Sequence, residues 1–365
     1  MENRSANSNT GDGRGPSISI AATATAVPPY ALTRDEVKTY LQRVFSLEPA
    51  RLNAMMAVID NSQVRQRFCI QPVDYIIEPR PLTQISVEYG EHAVQLGRQV
   101  AQDCLARAGM QATDIDMIIT VSCTGVMIPS LDAHLINDLG FRSDVRRLPI
   151  TELGCAAGAA SFTRAWEHVR AFPGRSVLVV SVELPSLTFQ RGDISQANLI
   201  SSILFGDGAA AAIITGRPAD GPRILDSSSY FFPNSLEAMG FDLKDSGFHI
   251  VLSRDVPQMI REKIGGLLDS FLTRHALDRK KISAFILHPG GQKLLLYMEE
   301  ELGLCRCDTQ FSWDVLGEYG NLSSASVIFV LHEWLNKRKL DPGAFGVMAA
   351  FGPGFSAEML LLQWP

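Results

Sequence analysis

The sequence has no uninterrupted apolar run near the ~20 residues that a membrane-spanning helix requires, so no span is expected. Nor has it an excess of positive charge: 33 Lys and Arg stand against 39 Asp and Glu, a formal net charge of -6. Phosphate backbones are held by positive fields, so nucleic acid is not an expected partner. No GxGxxG opens a helix and no GxxxxGK[ST] occurs, which leaves nucleotide cofactors unsupported. Cysteine is sparse, with six in 365 residues, too few for a disulfide scaffold. Cys305 and Cys307 have no second cysteine pair to complete a zinc site. No metal is expected, and all six cysteines read as reduced thiols of a cytoplasmic protein. Met1 to Pro16 is rich in Asn, Ser and Gly and lacks the apolar core of a secretory signal. It reads as a disordered tail.

What is present is ordinary in bulk and ordered in detail. At 46% hydrophobic and 20% charged residues the composition is that of a soluble globular protein. Its length implies two domains or one large fused fold. Helical spacing runs through residues 33–68, broken by Pro49. It then predicts a helix over 86–109, a strand at Ile115–Val121 and a helix near 130–139. A further helix runs from Cys155 to about Phe172, followed by strands at Ser176–Val182 and Gly208–Thr215. The second half repeats the order: helix Val256–Ala276, strand Ala284–Leu287, helix Gly291–Leu302, and a helix from Asn321 to about Lys337. Strands Phe345–Phe351 and Ala357–Leu362 close the chain. Continuous apolar strands imply burial on both faces, hence an α/β protein.

Each half thus reads helix, strand, helix, irregular stretch, helix, strand, strand, with the halves taken as 17–217 and 218–365. In this scheme Cys155 opens the third helix of the first half, and Asn321 opens the equivalent helix of the second. A pseudo-twofold axis would set the two helix N-termini face to face. His288 follows the strand that matches Ile115–Val121, at a strand end where α/β sites gather.

Cys155 lies among small residues, Gly154-Cys155-Ala156-Ala157-Gly158. A helix N-terminus stabilises a thiolate and lowers the thiol pKa, which makes Cys155 a candidate nucleophile. The competing reading is a buried, inert cysteine. His288, taken alone, is as well explained by a satisfied polar group, and Asn321 by a helix N-cap. Their combination with Cys155 is what points to chemistry. Phe205-Gly206-Asp207-Gly208 and Phe351-Gly352-Pro353-Gly354-Phe355 are turn sequences first, and Glu299-Glu300-Glu301 reads as a solvated helix face.

Five stretches together resemble one family. They are Gly154–Gly158, Leu204–Ala211, His288–Gly291, Gly320–Ser326 and Phe351–Phe355, and the family is the type III polyketide synthases, which include the chalcone and stilbene synthases. The likeness runs from about residue 18 to the C-terminus and is strongest to bacterial members. It implies a thiolase-like αβαβα sandwich of two similar halves, a homodimer, and decarboxylative condensation of malonyl-CoA onto an acyl-CoA starter without an organic or metal cofactor. By position it assigns Cys155 as the acylated nucleophile, His288 and Asn321 as its activating and oxyanion partners, and Phe205 as a gatekeeper. Cys123, Thr188, Ser201, Met239 (or Gly240) and Ser323 fall on cavity-lining positions. The basic residues that hold CoA in plant members fall here on Ala54, Ala57 and Asn61. The nearby Arg51, Arg65 and Arg67 are therefore the candidates for CoA binding, or an acyl carrier protein delivers the substrate. Apolar side chains at Cys123 and Met239 point to a long-chain acyl starter and an alkylpyrone or alkylresorcinol product. The rivals are a single-condensing β-ketoacyl-ACP synthase III and a Cys-His-Asn thioester hydrolase.

Overall fold

The computed structural model describes residues 17–365; the expected tail, 1–16, lies outside the described residues. The first half contains β1 (Ser19–Ala26), β2 (Tyr30–Thr33), α1 (Arg34–Val44), α2 (Pro49–Asn61), β3 (Gln66–Cys69), α3 (Val73–Ile76) and α4 (Leu82–Ala108). It continues with β4 (Met117–Val121), α5 (Leu131–Leu139), β5 (Arg146–Ile150), α6 (Ala157–Ala171), β6 (Ser176–Glu183), α7 (Gln196–Leu204) and β7 (Gly208–Thr215). The second half contains β8 (Arg223–Phe231), β9 (Met239–Lys244), β10 (Gly247–Leu252), α8 (Val256–Thr273), β11 (Ile282–Leu287) and α9 (Gln292–Leu302). It ends with α10 (Gln310–Tyr319), α11 (Ser326–Lys337), β12 (Phe345–Gly352) and β13 (Ser356–Gln363).

Nine strands align in the order β11-β12-β13-β8-β1-β7-β6-β4-β5. The halves meet at β1 and β8, which share a single residue pair, Ser19 with Arg223. Outward from that seam, β1-β7-β6-β4 mirrors β8-β13-β12-β11, with the outermost pairs β6–β4 and β12–β11 parallel. Only β5 has no counterpart. Strands β4, β6 and β7 are buried along their whole length, which accounts for their unbroken apolar runs.

Three cores separate the layers. Helices α4 and α5 cover the outer face of the first half-sheet, α8 and α9 that of the second. Between the half-sheets lie α6 and α11, whose side chains join one core with β4, β6, β7, β12 and β13. A helix clasped on both sides has no solvent stripe, and α6 is accordingly buried at ten of its fifteen positions. The result is the αβαβα sandwich that the resemblance implied.

Differences from expectation include the two seam strands, β1 and β8, at which the sequence reading places no strand, and several shorter elements. The helical spacing read through residue 68 ends at Asn61, and β3 instead pairs with β2. Four residues are too few to show a period of two. Pro49 does begin a new helix, at the position where no N–H is required. The irregular stretches hold α7, α10 and the β9–β10 hairpin. One chemical expectation is corrected: Cys305 and Cys307 are not reduced thiols but are joined in a disulfide, because the turn after α9 sets their Cα atoms 5.2 Å apart. The other four cysteines are free.

Gly158 allows α6 and α11 to meet. A Cβ there would lie 2.2 Å from the Ser324 carbonyl oxygen and 2.8 Å from Val327 Cγ1. Gly158→Ala is expected to destabilise by about 1–3 kcal/mol or more through overpacking. Gly90→Ala, with nothing within 4 Å of the new methyl, is expected to be neutral or stabilising by up to about 1 kcal/mol. Urea unfolding of the two variants checks the contrast.

Candidate active site

Two short 3-10 turns form the floor of the site. Gly154–Ala156 leads into α6, and Ser323–Ala325 leads into α11. Each turn begins on a left-handed residue, Gly154 at φ 46° and Ser323 at φ 49°. By this equivalence the counterpart of Cys155 is Ser324, and Asn321 stands two residues ahead of its turn rather than opening it. A left-handed serine is unusual. Here its N–H donates to Asn321 Oδ1 at 2.8 Å, which offsets the strain. Gly154 is wedged against the chain's closing loop: a Cβ on it would lie 2.5 Å from Pro353 Cδ.

Asn321 is the most firmly oriented of the three expected catalytic residues. Its N–H donates to the Leu204 carbonyl at 2.7 Å, and its carbonyl accepts from Gly206 N at 3.1 Å. These bonds tie it by the backbone to Phe205. Because Oδ1 accepts from Ser323 N and from Ser326 Oγ (3.3 Å), the amide cannot be flipped. Nδ2 is turned the other way, towards the Cys155 thiol, and makes a long bond, 3.4 Å, to the Gly290 carbonyl.

His288 extends β11, its N–H bonded to the Ala349 carbonyl at 2.9 Å. It is buried, and Nδ1 has no partner among the described residues. Burial pushes its pKa down to about 3, so the imidazole is neutral. Burial likewise pushes the Cys155 thiol up to about 12, while hydrogen bonds from Ser323 and Asn321 pull it down. The Sγ–Ser323 Oγ distance is 3.5 Å. The expected lowering by the helix terminus is thus overruled. Desolvation of a buried thiolate outweighs a dipole whose effect is modest even at a helix end.

The Cys155 and Phe205 side chains border one narrow cavity of about 30 Å3. Cys155, Phe205 and all five expected cavity residues, Cys123, Thr188, Ser201, Met239 and Ser323, line it, with Gly240, Phe241 and Ile250. His288 and Asn321 are not among the lining residues, although the Asn321 side chain reaches the Cys155 thiol. The hairpin residue Ile250 also borders an open groove of about 800 Å3.

One residue escaped sequence reasoning. Glu183, fully buried at the end of β6, accepts from Cys123 N at 3.1 Å, from Thr124 Oγ1 at 2.9 Å and from Ser324 Oγ. Burial raises its pKa. Its signal was a lone acid ending an apolar strand. The arginines expected to bind CoA disperse. Arg51 is exposed and donates to the Ile194 carbonyl at 2.5 Å. Arg65 is paired with Glu318. Arg67 is only 4% exposed and cannot meet a phosphate at the surface; β3 directs it inward.

Two similar halves, a middle layer of two facing helix starts and a buried cysteine at their junction define a thiolase-like enzyme. Family models for the chalcone and stilbene synthases match the chain along nearly its whole length, the N-terminal domain at residues 3–218 and the C-terminal domain at 223–364. The chain belongs to that family and is a type III polyketide synthase, an acyltransferase that condenses malonyl-CoA iteratively and cyclises the product. It is 37% identical to 1,3,6,8-tetrahydroxynaphthalene synthase of Streptomyces peucetius subsp. caesius, over 93% of this chain and 91% of that one. It is 35% identical to phloroglucinol synthase of Pseudomonas fluorescens, over 92% and 96%. The crystal structure of tetrahydroxynaphthalene synthase from Streptomyces coelicolor superimposes with a TM-score of 0.92 at 35% identity, covering 95% of this chain and 99% of that one.

A raised thiol pKa leaves little thiolate at neutral pH. Alkylation of Cys155 by iodoacetamide at pH 7 is expected to be slower than that of an unperturbed thiol. Its rate should climb about tenfold per pH unit through the alkaline range. Intact-protein mass, with Cys155→Ala as the blank, follows the reaction.

Proposed function

We propose that Cys155 carries the growing chain, that His288 takes and returns its proton, and that His288 and the Asn321 amide hold the charge that develops on thioester oxygens. The observation carrying this reading is the single cavity in which Cys155 faces the gatekeeper Phe205, itself locked by backbone bonds to Asn321. At rest thiol and imidazole are both uncharged. As Sγ attacks the starter thioester its proton passes to His288, and the CoA thiolate leaves. Malonyl-CoA then loses carbon dioxide: the carbon–carbon bond to the carboxylate breaks, and its electron pair forms an enolate. Asn321 Nδ2, poorly used at 3.4 Å, has donor capacity for that oxygen. The enolate carbon attacks the acyl group and releases Sγ, and the lengthened chain returns to Cys155. The electrons come from decarboxylation, so this chemistry calls for no organic or metal cofactor.

A cavity of about 30 Å3 walled by Met239, Phe241 and Ile250 favours a short starter. Relatives whose names specify tetrahydroxynaphthalene and phloroglucinol support a small aromatic product. The long alkyl starter would need that wall to open. CoA thioesters place the reaction in the cytoplasm. Among the described residues no helix is long and apolar enough to cross a membrane. The groove bordered by Ile250 is the approach for CoA or a carrier protein. Arg51 is anchored to the Ile194 carbonyl beside it. Val126, Ile128 and Leu153 are 59%, 93% and 37% exposed around the active-site loops. A second copy of the chain is the partner that would cover them, as a homodimer.

Incubation with malonyl-CoA, alone and with starters from acetyl to palmitoyl, tests this reading by product mass. Cyclised products from short starters are expected; products from fatty acyl-CoA alone would reject it. Cys155→Ala should show no acyl adduct. Asn321→Ala should lose about a hundred- to a thousandfold in carbon dioxide release.

A further inference from the structure

A second cavity, about 40 Å3, adjoins the first. Pro185, Thr188, Ser201 and Phe205 line both and so form the partition between them. Its other walls come from α1, α3 and β3, and include Tyr40 and Arg67. Arg67 is 4% exposed. Its Nη2 donates to Tyr40 Oη. Nε and Nη1 are buried and find no acceptor among the described residues. The nearby carboxylate of Asp207 feels its charge but makes no hydrogen bond to it, its oxygens accepting instead from Ile70 N (2.9 Å), Ser186 N (2.8 Å) and Ser186 Oγ. Nor can the residue swing away. Its backbone is paired with Leu32 across β2, and Gly206 and Gly320 are packed close to its Cβ.

An arginine is always charged, and a buried cation with unused donors is costly unless something supplies the acceptors. We propose that Arg67 anchors a starter subsite behind Phe205, which takes the free carboxylate of a dicarboxylic acyl unit such as malonyl. This rests on the reading of Cys155 as the acylated nucleophile. The cavity exceeds the ~10–15 Å3 that one water needs and matches a small anionic group. Guanidinium and carboxylate form strong charge-assisted hydrogen bonds. The pairing has a chemical consequence. An extender unit must release its carboxylate as carbon dioxide, whereas ion pairing stabilises the carboxylate in its ground state and so retards that loss. A malonyl unit anchored on Arg67 therefore loads intact: a bond forms between Sγ and the acyl carbon, the bond to CoA sulfur breaks, CoA takes the thiol proton, and the distal carboxylate stays.

The test is rapid-quench intact-protein mass spectrometry with malonyl-CoA labelled at its free carboxyl carbon, in competition with butyryl-CoA. The wild type should show a Cys155 adduct that retains the label and outnumbers the butyryl adduct. Arg67→Gln should lower the ratio of malonyl to butyryl adduct at least tenfold, and Arg67→Lys should restore part of it. Arg67→Met, which fills similar volume without charge, reads the same ratio if Arg67→Gln does not fold. An unchanged ratio, or an equal fall of both adducts, would assign Arg67 a structural role and overturn the proposal. A butyryl adduct without a labelled malonyl adduct overturns this inference alone. The absence of every adduct overturns the reading of Cys155, and this inference with it.

Discussion

The contact between the starts of α6 and α11, where Gly158 packs on the Ser324 carbonyl, is the constraint on which the site depends. Two helices can occupy one middle layer between two sheets only if their ends pass at backbone distance. That demand accounts for the Gly/Ala run around Cys155 and the serine run after Asn321. It also brings the Cys155 turn against the Ser323 turn, so that residues 168 positions apart share a hydrogen-bonding distance.

Burial then sets the chemistry. Desolvation favours the protonated thiol at Cys155 and the neutral imidazole at His288. A resting ion pair would incur two desolvation penalties. Charge is better created during the reaction, when proton and electron pair move together and fixed donors already surround the oxygen. The same low-dielectric surroundings raise the pKa of Glu183. They also leave Arg67 with two donors unpartnered among the described residues, one partition away from Cys155.

The long helices and the strands buried on both faces were legible because each has a regular pattern, whereas the seam strands β1 and β8, with mixed Ala, Ser and Thr, were not. The strand at Gly208–Thr215 is observed with the expected bounds, and the helix expected over 86–109 is Leu82–Ala108. The residues expected around the cavity do line it together, although their roles in the reaction rest on the proposed mechanism. What could not be read were short pieces such as β3, with too few residues to show a period. Side-chain direction was also hidden. Arg67 is next to the half-buried Gln66 in sequence, yet it points fully into the protein because β3 pairs with β2.

The sequence by itself determined the α/β class, the twofold repetition and the identity of the reactive residue types, since periodicity and local motifs are properties of neighbouring residues. Tertiary structure alone decided the charge state of Cys155 and His288, the orientation of the Asn321 amide, the buried acid at Glu183 and the inward turn of Arg67. Each of these depends on desolvation and on partners distant along the chain, and neither is encoded in any local window of residues.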